Sequence, residues 1–406
     1  MGTLISSAPL KMRIRHLPLL LALLPLSLGA TTTFDEVLSE VMSNNLTARA
    51  EASRSQAQVE NILGENTLEA PEIEFSRVWG TKAEFGNKWG LSVSQSFDWP
   101  GVYAARREAA RTAKIAAQYL TESTVIDLRQ EVCTLLIDII HNSQLIDMQT
   151  ELVNRMNQME QHYKKAAEAG AETRLDYNKT VIERIAVHRE LHTLEAQREA
   201  LLSSLEALNA GKNVDDMVKR LGSDYPITPA VNEATISEDL IKQRDPQYAA
   251  ALASVEAAKS MVKVEKRSRI PGFSVGFEHE TEGDEHFNGF AVGMTLPVWG
   301  RKHQVKASTL EAEASLMDAE MALARRMAEM KGDLKQLKAL RKVMEEYEPV
   351  INDKANYELL RKALTAGQIS FLTFIEETNY FIAARRDYID TVYEYNLALT
   401  RLTRYE

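Results

Sequence analysis

The chain has 406 residues, 26% of them charged, with 18 glycines and 11 prolines. That excludes a disordered or low-complexity chain and leaves room for two or three domains. A net charge of −10 excludes a general nucleic-acid binder, and a single cysteine, Cys133, excludes an internal disulfide and a cysteine-built metal site.

Residues 1–30 read as a secretory signal. Lys11, Arg13, Arg15 and His16 form a basic region, Leu17 to Leu28 an apolar core, and Ser27-Leu28-Gly29-Ala30 a small-residue cleavage region. Met12 stands at the head of this region, so residues 1–11 read as lying upstream of the start. The apolar core is shorter than the ~20 residues of a membrane-spanning helix, and no longer apolar run follows. Any membrane crossing must therefore use β-strands. No cysteine lies near the cleavage region, so no lipid anchor is expected.

Beyond the signal the sequence reads as two structural repeats, residues 31–225 and 226–406. Phe34 to about Ala70 predicts a helix, with Val37, Leu38 and Val41 at helical spacing and Pro71 stopping it. Residues 72–99 predict a β-hairpin. Ile73, Phe75, Arg77 and Trp79 share one strand face; Trp89, Leu91, Val93, Gln95, Phe97 and Trp99 share one on the returning strand. Each segment has the ~9–11 residues of a transmembrane strand. Long helices are predicted over 103–209. Tyr103 to Glu168 lacks Pro and Gly and reads as one helix of ~100 Å. Its residues Leu128, Val132, Leu135, Ile139, Asn142, Ile146, Gln149, Val153 and Met156 step by three and four, a heptad seam with two polar interruptions. Gly170 breaks it, and a second helix runs from about Thr173 to Asn209. Gly211 to Pro229 is a connector with a short helical piece, Val214 to Leu221.

The second half repeats the order. Ile236 to Arg269 predicts a helix, and 272–297 a hairpin with a polar turn at Thr281 to His286. The long helices follow over 303–404. The first runs from His303 to about Ala366, kinked at Pro349, and breaks at Gly367. Lys88 to Arg107 aligns without a gap on Phe287 to Lys306, setting Val93 on Val292, Phe97 on Leu296 and Gly101 on Gly300. The expected class is mostly α with a small β part: duplicated long-helix coiled-coil hairpins and four short strands.

Taken together, these features resemble the bacterial outer-membrane efflux family, the TolC-like channels. The resemblance rests on the duplicated order, on the strand-to-helix junctions Trp99-Pro100-Gly101 and Leu296-Pro297-Val298-Trp299-Gly300-Arg301, and on the breaks Ala169-Gly170-Ala171-Glu172-Thr173 and Ala366-Gly367-Gln368-Ile369-Ser370. The second junction looks most like the branch serving heavy-metal efflux pumps. Many channels of that branch are lipoproteins, and the missing cysteine departs from that pattern. The resemblance implies a homotrimer whose four strands per chain complete a 12-stranded β-barrel in outer-membrane lipid, continued by an α-barrel in the periplasm. It implies two partners, a periplasmic adaptor and an inner-membrane pump of the resistance-nodulation-division class. Drug export, type I protein export and a secreted coiled-coil scaffold or adhesin are the alternatives.

By the same resemblance, Gly170 and Gly367 mark the periplasmic tip, Glu376 and Glu377 its constriction, and Arg174 and Asp176 partners in closing it. Asp176, Glu183 and Glu190 are seven apart on one helix face, and Asp387, Asp390 and Glu394 share a face of the last helix. They read either as a solvated face or as an acidic lumen stripe. Trp79, Trp89, Trp99, Trp299 and Arg301 are expected as membrane-interface anchors. His279, Glu280, Glu282, Asp284, Glu285 and His286 read as a soluble loop or as ligands for a divalent metal. His141, His162, His188 and His192 read as solvated, and Cys133 as a small buried residue. No nucleophile triad, phosphate loop or HExxH pair is present, so neither an enzyme nor a cofactor is expected.

Overall fold

The computed structural model describes residues 33–64, 67–79, 81, 86–226, 237–297, 299, 301–351 and 355–404. The signal-like segment and part of the connector lie outside them. Helices α1 (Thr33–Asn44) and α2 (Leu46–Gly64) lead into strands β1 (Glu72–Trp79) and β2 (Asn87–Phe97), then α3 (Pro100–Glu168) and α4 (Arg174–Leu208). After α5 (Asp215–Leu221) the order returns as α6 (Glu238–Arg244), α7 (Pro246–Arg267), β3 (Gly272–Glu282), β4 (Glu285–Thr295), α8 (Arg301–Ile351), α9 (Ala355–Thr365) and α10 (Phe371–Leu402).

Several expected boundaries shift. The helix expected over 34–70 breaks at Asn45 and ends at Gly64. Asn45 is buried, and its side-chain oxygen accepts from the amides of Thr47 and Ala48, capping α2. The helix expected over 236–269 breaks 200 positions later, at Asp245. Its carboxylate accepts from the amides of Gln247 and Tyr248, and Pro246 opens α7. Helix α3 begins at Pro100 rather than Tyr103, because proline at the first position sacrifices no hydrogen bond. The turn expected at Thr281 to His286 narrows to Gly283-Asp284, with Gly283 at φ 62°, and Thr281 and Glu282 pair with His286 and Glu285.

The 69-residue helix α3 carries the seam as expected, and its polar steps are partnered. Asn142 donates to the Leu194 carbonyl at 3.1 Å and Gln149 to the Val187 carbonyl at 2.9 Å. Donors and acceptors are each seven apart, so the two amides fix the antiparallel register of α3 against α4. The turns at the far end are built alike. Gly170 and Gly367 take φ 74° and 71°. At each, the glycine amide reaches back three residues and the next amide five. Thr173 and Ser370, three residues on, then cap α4 and α10.

The apolar core lies at mid-height, away from the strands. Val37 and Val41 of α1 and Val218 and Leu221 of α5 pack with Val132, Leu136 and Ile140 of α3. The second repeat matches this with Ile241 of α6, Met330, Leu334 and Leu337 of α8, and Ala398 and Leu399 of α10. Burial pushes the Cys133 thiol up to about 11, so it stays protonated. The strands form one antiparallel sheet in the order β1-β2-β3-β4. The helices that enter and leave it pack in the same order: α2 on α3, α3 on α7, α7 on α8.

Candidate functional site

The sheet has two unlike faces. Ile73, Val93, Phe277 and Phe290 stand side by side across all four strands. Below them lie Gln95, Val275 and Val292, then Phe97, Phe273 and Met294. No described element covers this face, and Phe290 is 86% exposed. Along β2 the outward run from Trp89 to Phe97 spans ~26 Å, comparable to the ~25 Å apolar band of outer-membrane barrels. Its upper border is oblique. It ends at Trp89 on β2 but at Phe277 and Phe290 on β3 and β4, in register with Val93. A plane that crosses the strands aslant is what tilted barrel strands require.

The opposite face alternates in with glutamate, serine and glycine, with Val78 and Phe287 near the hairpin ends as its bulky exceptions. Glu72 and Glu74 of β1, Glu278, Glu280 and Glu282 of β3 and Glu285 of β4 all lie there, with Lys88 paired to Glu282 at 2.6 Å. Small residues crowd it: a Cβ on Gly293 would sit 2.5 Å from Ser274 Oγ. Bulk on one face and small residues on the other suit a sheet curved with its acidic side inward. Glu72, Glu74 and Glu278 were not singled out in the sequence, although strict alternation with the apolar residues marks them.

The expected anchors fall at the two ends of the apolar band. Trp79 and Trp89 lie near the β1–β2 turn, and Trp99 caps α3. Trp299 is 88% exposed just before α8, and Arg301 reaches Glu265 at 3.4 Å. The residues considered as metal ligands are separated by the pleat. His279 and His286 stack on the outward face, ring centroids 5.9 Å apart, while Glu280, Glu282 and Glu285 point inward and Asp284 occupies the turn. Among the described residues, no group of three or more His, Cys, Asp or Glu is placed to hold a metal ion.

At the helical end, the acidic stripe of α4 is partnered rather than bare. Glu183 accepts from Asn379 at 3.4 Å, and Glu190 pairs with Arg386 at 2.9 Å; both partners are on α10. Asp390 meets His141 of α3 at 2.6 Å, and Arg385 meets Glu151 of α3 at 2.9 Å. Glu151 also pairs with Arg155, whose guanidinium lies 3.8 Å over the Tyr357 ring of α9. Burial raises the Glu151 carboxyl, but the Arg385 hydrogen bond and the charges of Arg155 and Arg385 outweigh it and hold it below the usual range. Asp176 bonds within its own turn, to Thr173 at 2.5 Å and Lys179 at 3.4 Å, and no described residue joins it to Arg174. Glu376, Glu377, Asp387 and Glu394 are exposed on α10. Of the histidines expected to be solvated, His162 and His192 are exposed and His188 contacts Asn157, whereas His141 is drawn in against Asp390 and stacks on Tyr393. The latch of Arg385, Arg386 and Asn379 was missed in the sequence, although a charged Arg385 at a seam position signals a partner outside the helix pair.

No described helix is long and apolar enough to cross a membrane. No protein-family model matches the chain, and no curated protein matches it in sequence. Solved structures do match over nearly the whole length. A membrane protein from Pseudomonas aeruginosa is 15% identical, covering 92% of this chain and 90% of its own, with a TM-score of 0.76. The Campylobacter jejuni CmeC outer membrane channel is 15% identical, covering 92% and 85%, with a TM-score of 0.76. CusC, described in terms of transmembrane channel formation, is 14% identical, covering 91% of each chain, with a TM-score of 0.73. The chain thus has the mostly helical TolC-like fold with a four-stranded antiparallel sheet.

Proposed function

We propose that this chain is a passive outer-membrane channel, closed into a ring by three copies. The observation that carries the reading is the sheet: one face apolar and bare, the other acidic, with neither edge paired among the described residues. A four-stranded open sheet cannot enclose a pore, since membrane barrels have at least ~8 strands, and unpaired edges are unsustainable in lipid. Three copies give twelve strands, joining β4 of one copy to β1 of the next. The helices support the same closure. At one edge α8 presents Leu310, Met317 and Met321, all exposed, at heptad spacing. At the other edge α2 presents Leu46, Ala50, Ser53 and Ala57, also at heptad spacing and mostly small. Large side chains on one edge fit small ones on the other.

In this reading the channel supplies no energy. An inner-membrane pump and a periplasmic adaptor load it, as the likeness to outer-membrane channels suggests. The lumen begins at a tip near Gly170 and Gly367 and ends between the acidic strand faces. Carboxylate rings from Glu376, Glu377 and Asp387, each tripled by symmetry, favour cations over anions. Divalent metal is the finer reading of the cargo, with drugs or proteins as the alternatives. A deletion strain tested against divalent metals, dyes and detergents decides among them.

The test of the channel is current across a planar bilayer containing the purified full-length protein. Discrete, cation-selective steps are expected, with selectivity reduced by Glu376→Gln plus Glu377→Gln. Absence of conductance would overturn the reading. Deleting residues 272–297 separates it from a secreted scaffold: a channel loses membrane assembly, whereas a scaffold stays folded and soluble.

A further inference from the structure

Charge is segregated across the sheet. Every glutamate paired in the strands points to the inward face, while the outward face carries Arg77, His279 and His286 and no carboxylate. These groups stand at the hairpin end, above the oblique border of the apolar band. Arg77 sits across from Trp89, with no described residue pairing its guanidinium. On β3 and β4, His279 contacts Asn288 at 2.8 Å and His286 contacts Thr281 at 3.1 Å. Trp89 packs on His279 with ring centroids 5.3 Å apart, tying the two parts together. The patch thus offers one permanent cation, two imidazoles and neutral hydrogen-bonding groups, beside a tryptophan and immediately above bare apolar surface.

Resting on the channel reading, we infer that this outward patch binds net-anionic, phosphate-bearing headgroups of the lipid leaflet at the hairpin end. Arg77 is long enough to extend from the apolar band toward the headgroup layer. Guanidinium matches phosphate in a two-point hydrogen-bond geometry. Carboxylates on this face would repel phosphate, and there are none among the paired residues. Held this way, the lipid fixes the height of the barrel where its apolar border is most oblique. The occupant is lipid rather than free phosphate, because the donors adjoin surface that only acyl chains cover.

The experiment uses the full-length protein in vesicles of phosphatidylcholine alone or mixed equally with phosphatidylglycerol. Native mass spectrometry then counts the lipid that stays bound after extraction. Preferential retention of phosphatidylglycerol is expected. Arg77→Gln should lower it about fivefold, the ratio corresponding to ~1 kcal/mol for one cation near an anionic surface. Arg77→Lys, which keeps the charge but not the two-point geometry, should fall between the two, and Glu278→Gln, on the other face, should leave it unchanged. Equal retention of both lipids, or no loss in Arg77→Gln combined with His279→Gln and His286→Gln, would overturn the inference. Displacement of the retained lipid by inorganic phosphate would overturn the choice of lipid over the free anion. Failure to insert into either vesicle would instead overturn the channel reading, and the patch with it.

Discussion

The two repeats share an order of elements but are secured differently. At the first joint the buried residue is the neutral Asn45, which caps α2 and donates to the Leu208 carbonyl at 2.8 Å, beside Asn44, which donates to Asn209 at 2.9 Å. At the second, Asp245 caps α7 and faces Arg326 at 3.5 Å, and Arg326 donates to the Arg401 carbonyl at 3.2 Å. One neutral side chain is replaced by an ion pair whose side chains are 7% and 3% exposed. Further along, the contrast reverses. Helix α4 is held to α3 by buried amides, whereas α10 adds surface pairs to α3 and α4 around Ile389, which packs with Leu145, Met148 and Leu194. Pro349 sits inside α8, the partner of α10. The exposed pairs make the second hairpin, rather than the first, the one expected to move if the tip opens. A tip that opens would do so by releasing α10.

The largest effect should come from the buried pair. Arg326→Ala removes the buried cation that faces Asp245 and donates to the Arg401 carbonyl, a loss of ~3–5 kcal/mol. Asn45→Ala removes only a cap, at ~1–2 kcal/mol. Denaturant unfolding of the two variants measures the contrast, and equal losses would contradict it. Next come Arg385→Gln with Arg386→Gln. Each pair is exposed and contributes ~0–1 kcal/mol to stability, so unfolding should barely change, yet channels in a bilayer should open more often. Unchanged gating would remove α10 as the moving arm.

The smallest effect is acid sensitivity. A carboxyl held low in the folded protein adds stability above its unfolded value, ~4.3 for glutamate, and loses it as pH falls through the folded one. Glu151 is such a group. The α10 latch should hold at neutral pH and weaken below about pH 4. Closed-channel leakage rising in that range, with a weaker pH dependence in Glu151→Gln, is the expected record.

Much of this was readable from periodicity. Alternation at Ile73 to Trp79 and Phe290 to Leu296 placed the strands, because a sheet bare on one face must alternate. The heptads of α3 placed its seam, including Asn142 and Gln149 as polar steps. What failed to read was what one residue decides locally. Asn45 and Asp245 end helices by capping the next one, and each lies in a stretch whose apolar spacing continues across it. The latch between α4 and α10 was hidden for another reason. Glu183 and Glu190 have the spacing of a lumen stripe, and the partners that occupy them lie 196 residues away. The inward glutamates could have been found by applying the alternation to the even positions of β1 and β3.

The central claim is that the open sheet and the helix layer close on further copies of the same chain. Cysteines at Ala57 on α2 and Leu310 on α8, in a Cys133→Ala background, test it directly. The sites lie about two and two and a half helical turns, ~10 and ~14 Å, from the membrane-side ends of their helices, at edges that meet only between copies. Oxidation in membranes should give cross-linked species of two and three chains and nothing larger. Monomer alone, or a ladder continuing beyond three, would contradict a closed three-copy channel.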